Sequence, residues 1–274
     1  MSGIDDLLAV MAQLRDPVGG CPWDREQDLR SLVPHTLEEA YEVADAIERD
    51  DDAAIPDELG DLLFQVVFYA EIGRETGRFD FDSIASGMTD KLIRRHPHVF
   101  ADRREVSAAG QRATWESIKA DERAARTVGD HPPGALDDVP VALPALTRSR
   151  KLQSRAARVG FDWPEAHHVI DKVREELGEL EEALANEPSD PTHVHEELGD
   201  LLLACVNLSR RIGVDAEQAL RDGNAKFERR FRGLEAILAT AHQRPEDVDF
   251  ERLEWAYQQA KARDGAGSDR ADAD

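Results

Sequence analysis

Carboxylates occur twice in the same order in this chain. Glu38-Glu39-Ala40-Tyr41-Glu42 precedes Glu58-Leu59-Gly60-Asp61, and Glu175-Glu176-Leu177-Gly178-Glu179 precedes Glu197-Leu198-Gly199-Asp200. The gap from Glu39 to Glu58 is 19 residues, and that from Glu176 to Glu197 is 21. Residues three or four apart share one face of a helix, so Glu39 and Glu42 point together, as do Glu58 and Asp61. Two such helices packed antiparallel bring several carboxylates within a few ångströms. Charges that close repel by roughly 1 to 4 kcal/mol per pair, depending on the local dielectric. A divalent cation is the usual compensation. An all-oxygen set with no thiol and no required imidazole suits Mg²⁺, or Mn²⁺ in its place, better than zinc.

The elements that must carry these acids are helices. On the first, Leu37, Ala40, Tyr41, Ala44 and Ile47 form an apolar stripe. Its acids lie opposite, where charge is ordinarily just a solvated face, and Thr36 with Glu39 reads as a capping box. The second helix is less ordinary. After Asp61 it runs Leu-Leu-Phe-Gln-Val-Val-Phe-Tyr-Ala, apolar nearly all round, which predicts a buried helix. Glu58 and Asp61 then project from a buried element and need partners.

Basic residues repeat as well. Lys91 and Arg95 are spaced i,i+4, as are Lys226 and Arg230, within the matching runs Asp90–Arg95 and Ala225–Arg230. In an acidic chain a placed Lys/Arg pair reads as a phosphate clamp; Arg94, Arg229 and Arg232 read as ordinary surface ion pairs. Trp115 and Trp255 occupy matching terminal helices, where each either stacks on a base or belongs to the core.

The chain has 274 residues, with Lys plus Arg 34, Asp plus Glu 57 and a net charge of −23. That balance disfavours a nonspecific binder of nucleic acid polymers. Two cysteines, Cys21 and Cys205, make no disulfide framework. The start shows no basic region before an apolar stretch, and the longest apolar run, 62–70, is about half a membrane span, so a cytoplasmic protein is expected. No segment alternates as a strand does. The expected fold is all-α: two tandem, related helical-bundle units with duplicated carboxylate sites. Residues 1–127 form the first repeat, 128–141 a Pro- and acid-rich linker, 142–263 the second repeat and 264–274 a disordered tail. Helices are expected at 4–15, 24–33 (broken at Pro34), 37–49, 57–76, 83–95, 112–126, 142–157, 165–186, 193–212, 215–239 and 249–263.

The ordered set resembles the MazG family of nucleoside triphosphate pyrophosphohydrolases, in its two-repeat form within the all-α NTP pyrophosphatase superfamily. The resemblance is carried by the two acid motifs, C-P-W-D at 21–24, E-L-G-D-L-L-F-Q-V-V-F-Y-A, R-R-H-P-H-V-F-A-D at 94–102, V-G-F-D-W at 159–163 and K-F-E-R-R-F at 226–231. It covers nearly all of 5–260. It implies Mg²⁺-dependent hydrolysis of a nucleoside triphosphate to the monophosphate and pyrophosphate. By position, Glu176, Glu179, Glu197 and Asp200 would hold metal in the second repeat, with Lys226 and Arg230 on the triphosphate and Trp255 near the nucleoside. Glu39, Glu42, Glu58, Asp61, Lys91, Arg95 and Trp115 match them in the first. The resemblance makes the C-terminal repeat the catalytic one, yet the first repeat keeps all four acids. Trp115 is followed four residues on by Lys119, whereas Trp255 is followed by Gln259, with Lys261 two further on.

The chemistry is coherent on its own terms. The substrate is an anion that bare carboxylates repel, and a metal reconciles the two. Glu38 or Glu175, beside the metal set, is placed to accept a proton from water. A di-iron carboxylate bundle expects two E-x-x-H pairs, and only Glu165–His168 fits. The remaining alternatives are a dUTP- or dNTP-selective pyrophosphatase of the same superfamily and a first repeat that serves only dimerisation or regulation. Self-association as a homodimer or higher homo-oligomer would complete the cores of small helical units.

Overall fold

The structure is a computed structural model. It describes residues 3–101, 107, 110–111, 114–115, 118, 122, 134–186 and 190–271, with side chains to Gly265. Every regular element among them is helical, so the chain is all-α. It divides into two compact units, Met1–Ala125 and Arg126–Asp274.

In the first unit, α1 is Gly3–Leu14, α2 Pro22–Glu26, α3 Val33–Glu48, α4 Ile55–Glu75, α5 Phe81–Arg95 and α6 Pro97–Phe100. The helix α3 pairs with α4, and α1 and α5 pack on α4. Met11, Leu32, Val67, Phe68 and Ile72 form the core. Arg15 ties the unit together: its Nε and Nη2 donate to Glu75 at 2.8 and 2.7 Å, and Nη1 to the carbonyl of Asp24. The residues expected as a helix at 112–126 lie largely outside the described ones.

In the second unit, α7 is Ala145–Arg158, α8 Ala166–Ala185, α9 Pro191–Arg211, α10 Ala216–Thr240 and α11 Phe250–Ala271, with a 3-10 turn at Pro245–Asp247. The pairs α8–α9 and α10–α11 are the main contacts, and α7 packs on α9 and α10. Leu234, Ile237, Leu238, Ala256 and Ala260 form a core between α10 and α11. Residues 134–141, in the expected linker, lie against this unit. Val139 is buried there, and Arg155 donates to the carbonyls of Asp137 and Asp138.

Three local expectations are corrected. Pro34 does not end a helix; it lies in the first turn of α3, where its missing N–H costs nothing. Thr36 is therefore inside α3 and caps nothing: its hydroxyl donates to Leu32 O at 3.0 Å and pairs with the Tyr69 hydroxyl at 2.8 Å. The helix α5 starts at Phe81, two residues before the expected 83, with Asp80 as its N-cap in a capping box with Ser83. The last helix also continues through Ala271, where the sequence suggests a tail. Gly77 and Gly213 follow the ends of α4 and α9 with φ of 63° and 75°, the left-handed turn that lets the chain reverse.

The helix expected to be buried is only half so. Val67 and Phe68 of α4 are fully enclosed, but Leu59 and Leu63 are 47% and 41% exposed. In α8 and α9, Ile170, Leu177, Leu184, Leu198 and Leu202 are likewise exposed. Apolar residues all round a helix mark a surface that wants cover, and the unit's own core covers only the C-terminal half of α4.

Candidate functional site

The acid motifs do converge, once in each unit. Carboxylate oxygens of Glu39, Glu58 and Asp61 lie within 4.8 Å of one another, as do those of Glu176, Glu179 and Glu197. The helices place them: α3 brings Glu39 over the first turns of α4, and α8 brings Glu176 and Glu179 over those of α9. Asp57 and Glu58 in the first turn of α4 also answer the positive end of that helix.

Burial, and crowding after it, raise three of these carboxyls. Desolvation pushes the Glu39 carboxyl up, and Asp61 and Glu42 add to it. Glu58 is raised first by desolvation and then by Glu42, Asp57 and Asp61. Desolvation also raises Glu179, with Glu176 next, while Lys172 opposes. Glu42 thus acts on the first cluster without belonging to its tightest set. Asp200, exposed on α9, is outside the tightest set of the second.

An all-oxygen set of crowded carboxylates fits a hard divalent cation. These residues could hold one in each unit.

The two clusters differ in their nitrogen-bearing neighbours. In the second unit, Lys172 Nζ lies 2.7 Å from both Glu175 Oε1 and buried Glu176 Oε1. Those bonds, to Glu175 and then Glu176, drive the lysine pKa up. His193 Nδ1 lies 3.3 Å from Glu197 Oε1. In the first unit the position of Lys172 is held by His35, 3.7 Å from Glu38, and that of His193 by Ala54. Sequence reasoning passed over Lys172 and His193, although each stands one helical turn from an acid already singled out.

The arginines expected on phosphate are already paired. Arg95 Nη2 donates to Glu122 at 2.5 Å and Arg94 Nη2 at 2.7 Å. Arg230 Nε donates to Asp264 at 2.9 Å and Arg229 Nε at 2.6 Å. Each unit therefore has two adjacent arginines gripped by one acid. Arg94 and Arg229 are surface ion pairs, as expected, and so is Arg232, which pairs with Glu228. Lys91 is half-buried and Lys226 exposed. Trp115 meets His96 edge-on at 5.4 Å, and Trp255 is half-exposed with the Arg252 guanidinium 4.2 Å above its ring. Lys119 lies outside the described residues.

The Glu122 grip sets a pH dependence. Its carboxyl is held at about 2 rather than 4.5, first by Arg95 and then by Arg94. The folded value is the lower one, so the stabilisation is full above the ordinary glutamate pKa and fades as pH falls from about 4.5 towards 2. Trp115 fluorescence should report loosening in that window, and Glu122→Gln should remove the dependence. A flat acid profile in the wild type would overturn it.

Comparison with known proteins places these features. The MazG nucleotide pyrophosphohydrolase domain is matched at residues 27–100 and again at 165–233. The nucleoside triphosphate pyrophosphohydrolase of Escherichia coli (strain K12) is 50% identical over 264 residues, covering 96% of this chain and 99% of that protein. The nucleoside triphosphate pyrophosphohydrolase/pyrophosphatase MazG of Thermotoga maritima is 40% identical over 260 residues, covering 95% and 96%. The nucleoside triphosphate pyrophosphohydrolase of Mycobacterium tuberculosis (strain H37Rv) is 36% identical over 170 residues, covering 61% of this chain and 48% of its own. With two copies of the domain and full-length similarity to such relatives, the chain belongs to the MazG nucleotide pyrophosphohydrolase family.

Proposed function

We propose that this chain hydrolyses nucleoside triphosphates to the monophosphate and pyrophosphate, with Mg²⁺ as the working ion and Mn²⁺ as a substitute. The reading is carried by one observation above all. Three carboxylates meet within 4.8 Å in each unit of a chain that carries the family domain twice. When bound, the ion supplies charge neutralisation at the phosphate oxygens and an acidified water.

Glu176, Glu179 and Glu197, with Asp200 beside them, form the set that would hold the ion in the second unit; Glu39, Glu58 and Asp61, with Glu42, match it in the first. Lys226 and Arg230 bind the polyphosphate, and Arg230 must share or surrender Asp264 to do so. Trp255 lies on the nucleoside side; Lys91, Arg95, Trp115 and Lys119 are the first unit's counterparts. Glu175 accepts the proton of the attacking water, for which Lys172 has to let it go. We assign turnover to the second unit, because Lys172 puts positive charge beside its acids where the first has His35, and His193 sets a ring nitrogen beside Glu197 where the first has Ala54. Such charge draws in a polyanion that a net charge of −23 otherwise repels. The first unit then acts as a partner module.

Resolving the products by chromatography tests the reaction. Purified protein with Mg²⁺ should convert ribo- and deoxyribonucleoside triphosphates to monophosphate and pyrophosphate. Diphosphate and phosphate instead would refute it, and a panel confined to dUTP would favour the selective pyrophosphatase.

The exposed leucines support a second copy of the chain as the partner. Ile170, Leu177 and Leu184 recur every seventh residue along α8, which is helix-pairing spacing. Leu177→Glu with Leu202→Glu should shift the sedimenting species to the monomer; a wild type that sediments as a monomer would remove the proposal. A cytoplasmic location agrees with these chemistries, and no helix among the described residues is long and apolar enough to cross a membrane.

A further inference from the structure

The two units differ at one position that the repeat makes equivalent. Asn207 stands ten residues after Glu197 in α9, and Phe68 ten after Glu58 in α4. The tryptophans Trp163 and Trp23 match in the same way, each in the segment that precedes an acid-bearing helix, Trp23 in α2 and Trp163 in the bend before α8. In the first unit the volume beside Trp23 is filled by Phe68. The Phe68 ring is fully buried, Trp23 meets it edge-on with centroids 6.4 Å apart, and the Arg15 guanidinium lies 5.4 Å above it.

In the second unit Asn207 leaves that volume open. A cavity of about 290 Å³ lies there, lined by Trp163, Phe161, Gln153, Asn207 and Arg210. Its charge is answered: Arg210 pairs with Asp162 and donates to Asn207 Oδ1 at 2.8 Å. Its polar edge has capacity to spare. The Gln153 amide nitrogen donates to Leu203 O at 2.9 Å, while its Oε1 is buried without a hydrogen-bond partner. The Trp163 ring is set by stacking on His168, with centroids 6.4 Å apart and planes 17° from parallel.

The cavity also stands in register with the acids. Asp200 and Asn207 are seven residues apart on one helix, so they share a face at about 10 Å separation. That is roughly the reach of a ribose and its first phosphate. An aromatic wall, two primary amides and no net charge are what a flat, neutral heterocycle needs. Stacking accepts any base, and amides meet its edge.

The geometry points to this cavity as the seat of the substrate's nucleobase, with Asn207 the residue that opens it and Phe68 the residue that closes its counterpart. The assignment rests on the reading of Glu176, Glu179 and Glu197 as the polyphosphate end. It leaves Trp255, one face of which Arg252 covers, as a secondary contact. A purine or pyrimidine enters beside Trp163, and the first unit cannot seat one.

Asn207→Phe installs the first unit's plug and tests this. The probes are AMP binding by calorimetry, the KM and kcat for ATP, and Mn²⁺ binding without nucleotide. The dissociation constant for AMP and the KM for ATP should rise by about tenfold or more, the scale of one lost base stack, while Mn²⁺ binding stays as in the wild type. Trp163→Ala, checked for helix content by circular dichroism, should move AMP binding the same way and decides the matter if Asn207→Phe does not fold. A folded variant that binds AMP like the wild type overturns the assignment, as does a loss produced by Trp255→Ala and by neither cavity variant. AMP binding is read apart from turnover. A chain that binds AMP through this cavity but cleaves no triphosphate would uphold the seat and refute the reaction, and turnover with AMP binding untouched in the variants would do the reverse.

Discussion

Glu197→Ala should abolish triphosphate cleavage, by more than about a hundredfold in kcat/KM, while Glu58→Ala should keep most of it. The magnitude follows from position. Changing a group that merely orients a metal ligand commonly costs 10- to 100-fold, and Glu197 is itself one of the three carboxylates that meet in the second unit. Its loss also frees His193, 3.3 Å away, from its acid partner. Steady-state kinetics over a range of Mg²⁺ concentrations is the deciding measurement. A variant rescued fully by excess Mg²⁺ has lost affinity for the ion; one that stays dead at saturation has lost the geometry of the reaction as well. Equal losses in the two variants would mean two working sites and would sink the assignment of turnover to the second unit. Glu175→Gln belongs in the same series: if it turns over normally, Glu175 is not the base, and Lys172 can stay where it is.

The second large effect is on stability. Phe68→Ala should destabilise the first unit by about 3–5 kcal/mol, the usual cost of emptying a buried aromatic site. Phe68 is fully enclosed and touches Trp23, Phe64 and Arg15, so its neighbours cannot collapse into the space without giving up those contacts. Asn207→Ala, at the matched position of the second unit, should change little, because a cavity is already there. Denaturant unfolding followed by tryptophan fluorescence compares the two. A Phe68→Ala loss below about 1 kcal/mol would show that the first unit repacks freely, and would weaken the contrast between a plugged and an open copy.

Much of this molecule was legible in its sequence because helices repeat at short range. An acid three residues from another is on its face whatever the tertiary fold, so the pairs within each helix could be read directly, while the packing that leaves Glu42 and Asp200 outside the tightest sets could not. What distance separates could not. Glu122 lies 27 residues from Arg95, and Asp264 lies 34 from Arg230, so no local pattern announced that single acids would bind adjacent arginines. The helix α4 misled for a different reason. Its apolar run says that the surface must be covered, but not by what, and Leu59 and Leu63 are left outside the unit's own core. Pro34 misled because the same missing N–H that breaks a helix interior is harmless in a first turn. The Phe68/Asn207 difference was visible but mute until Trp23 and Trp163 were seen on either side of it.

The acid on the last helix carries a practical warning. Anyone shortening this protein because its ending looks dispensable would stop near residue 263 and discard Asp264. That one cut would strip Arg229 and Arg230 of the carboxylate that joins them. Two guanidinium groups would be set loose together, and the trimmed protein would collect anions such as sulfate or phosphate from its buffer. Inhibition by those salts, measured on the shortened form, would then overstate that of the full chain.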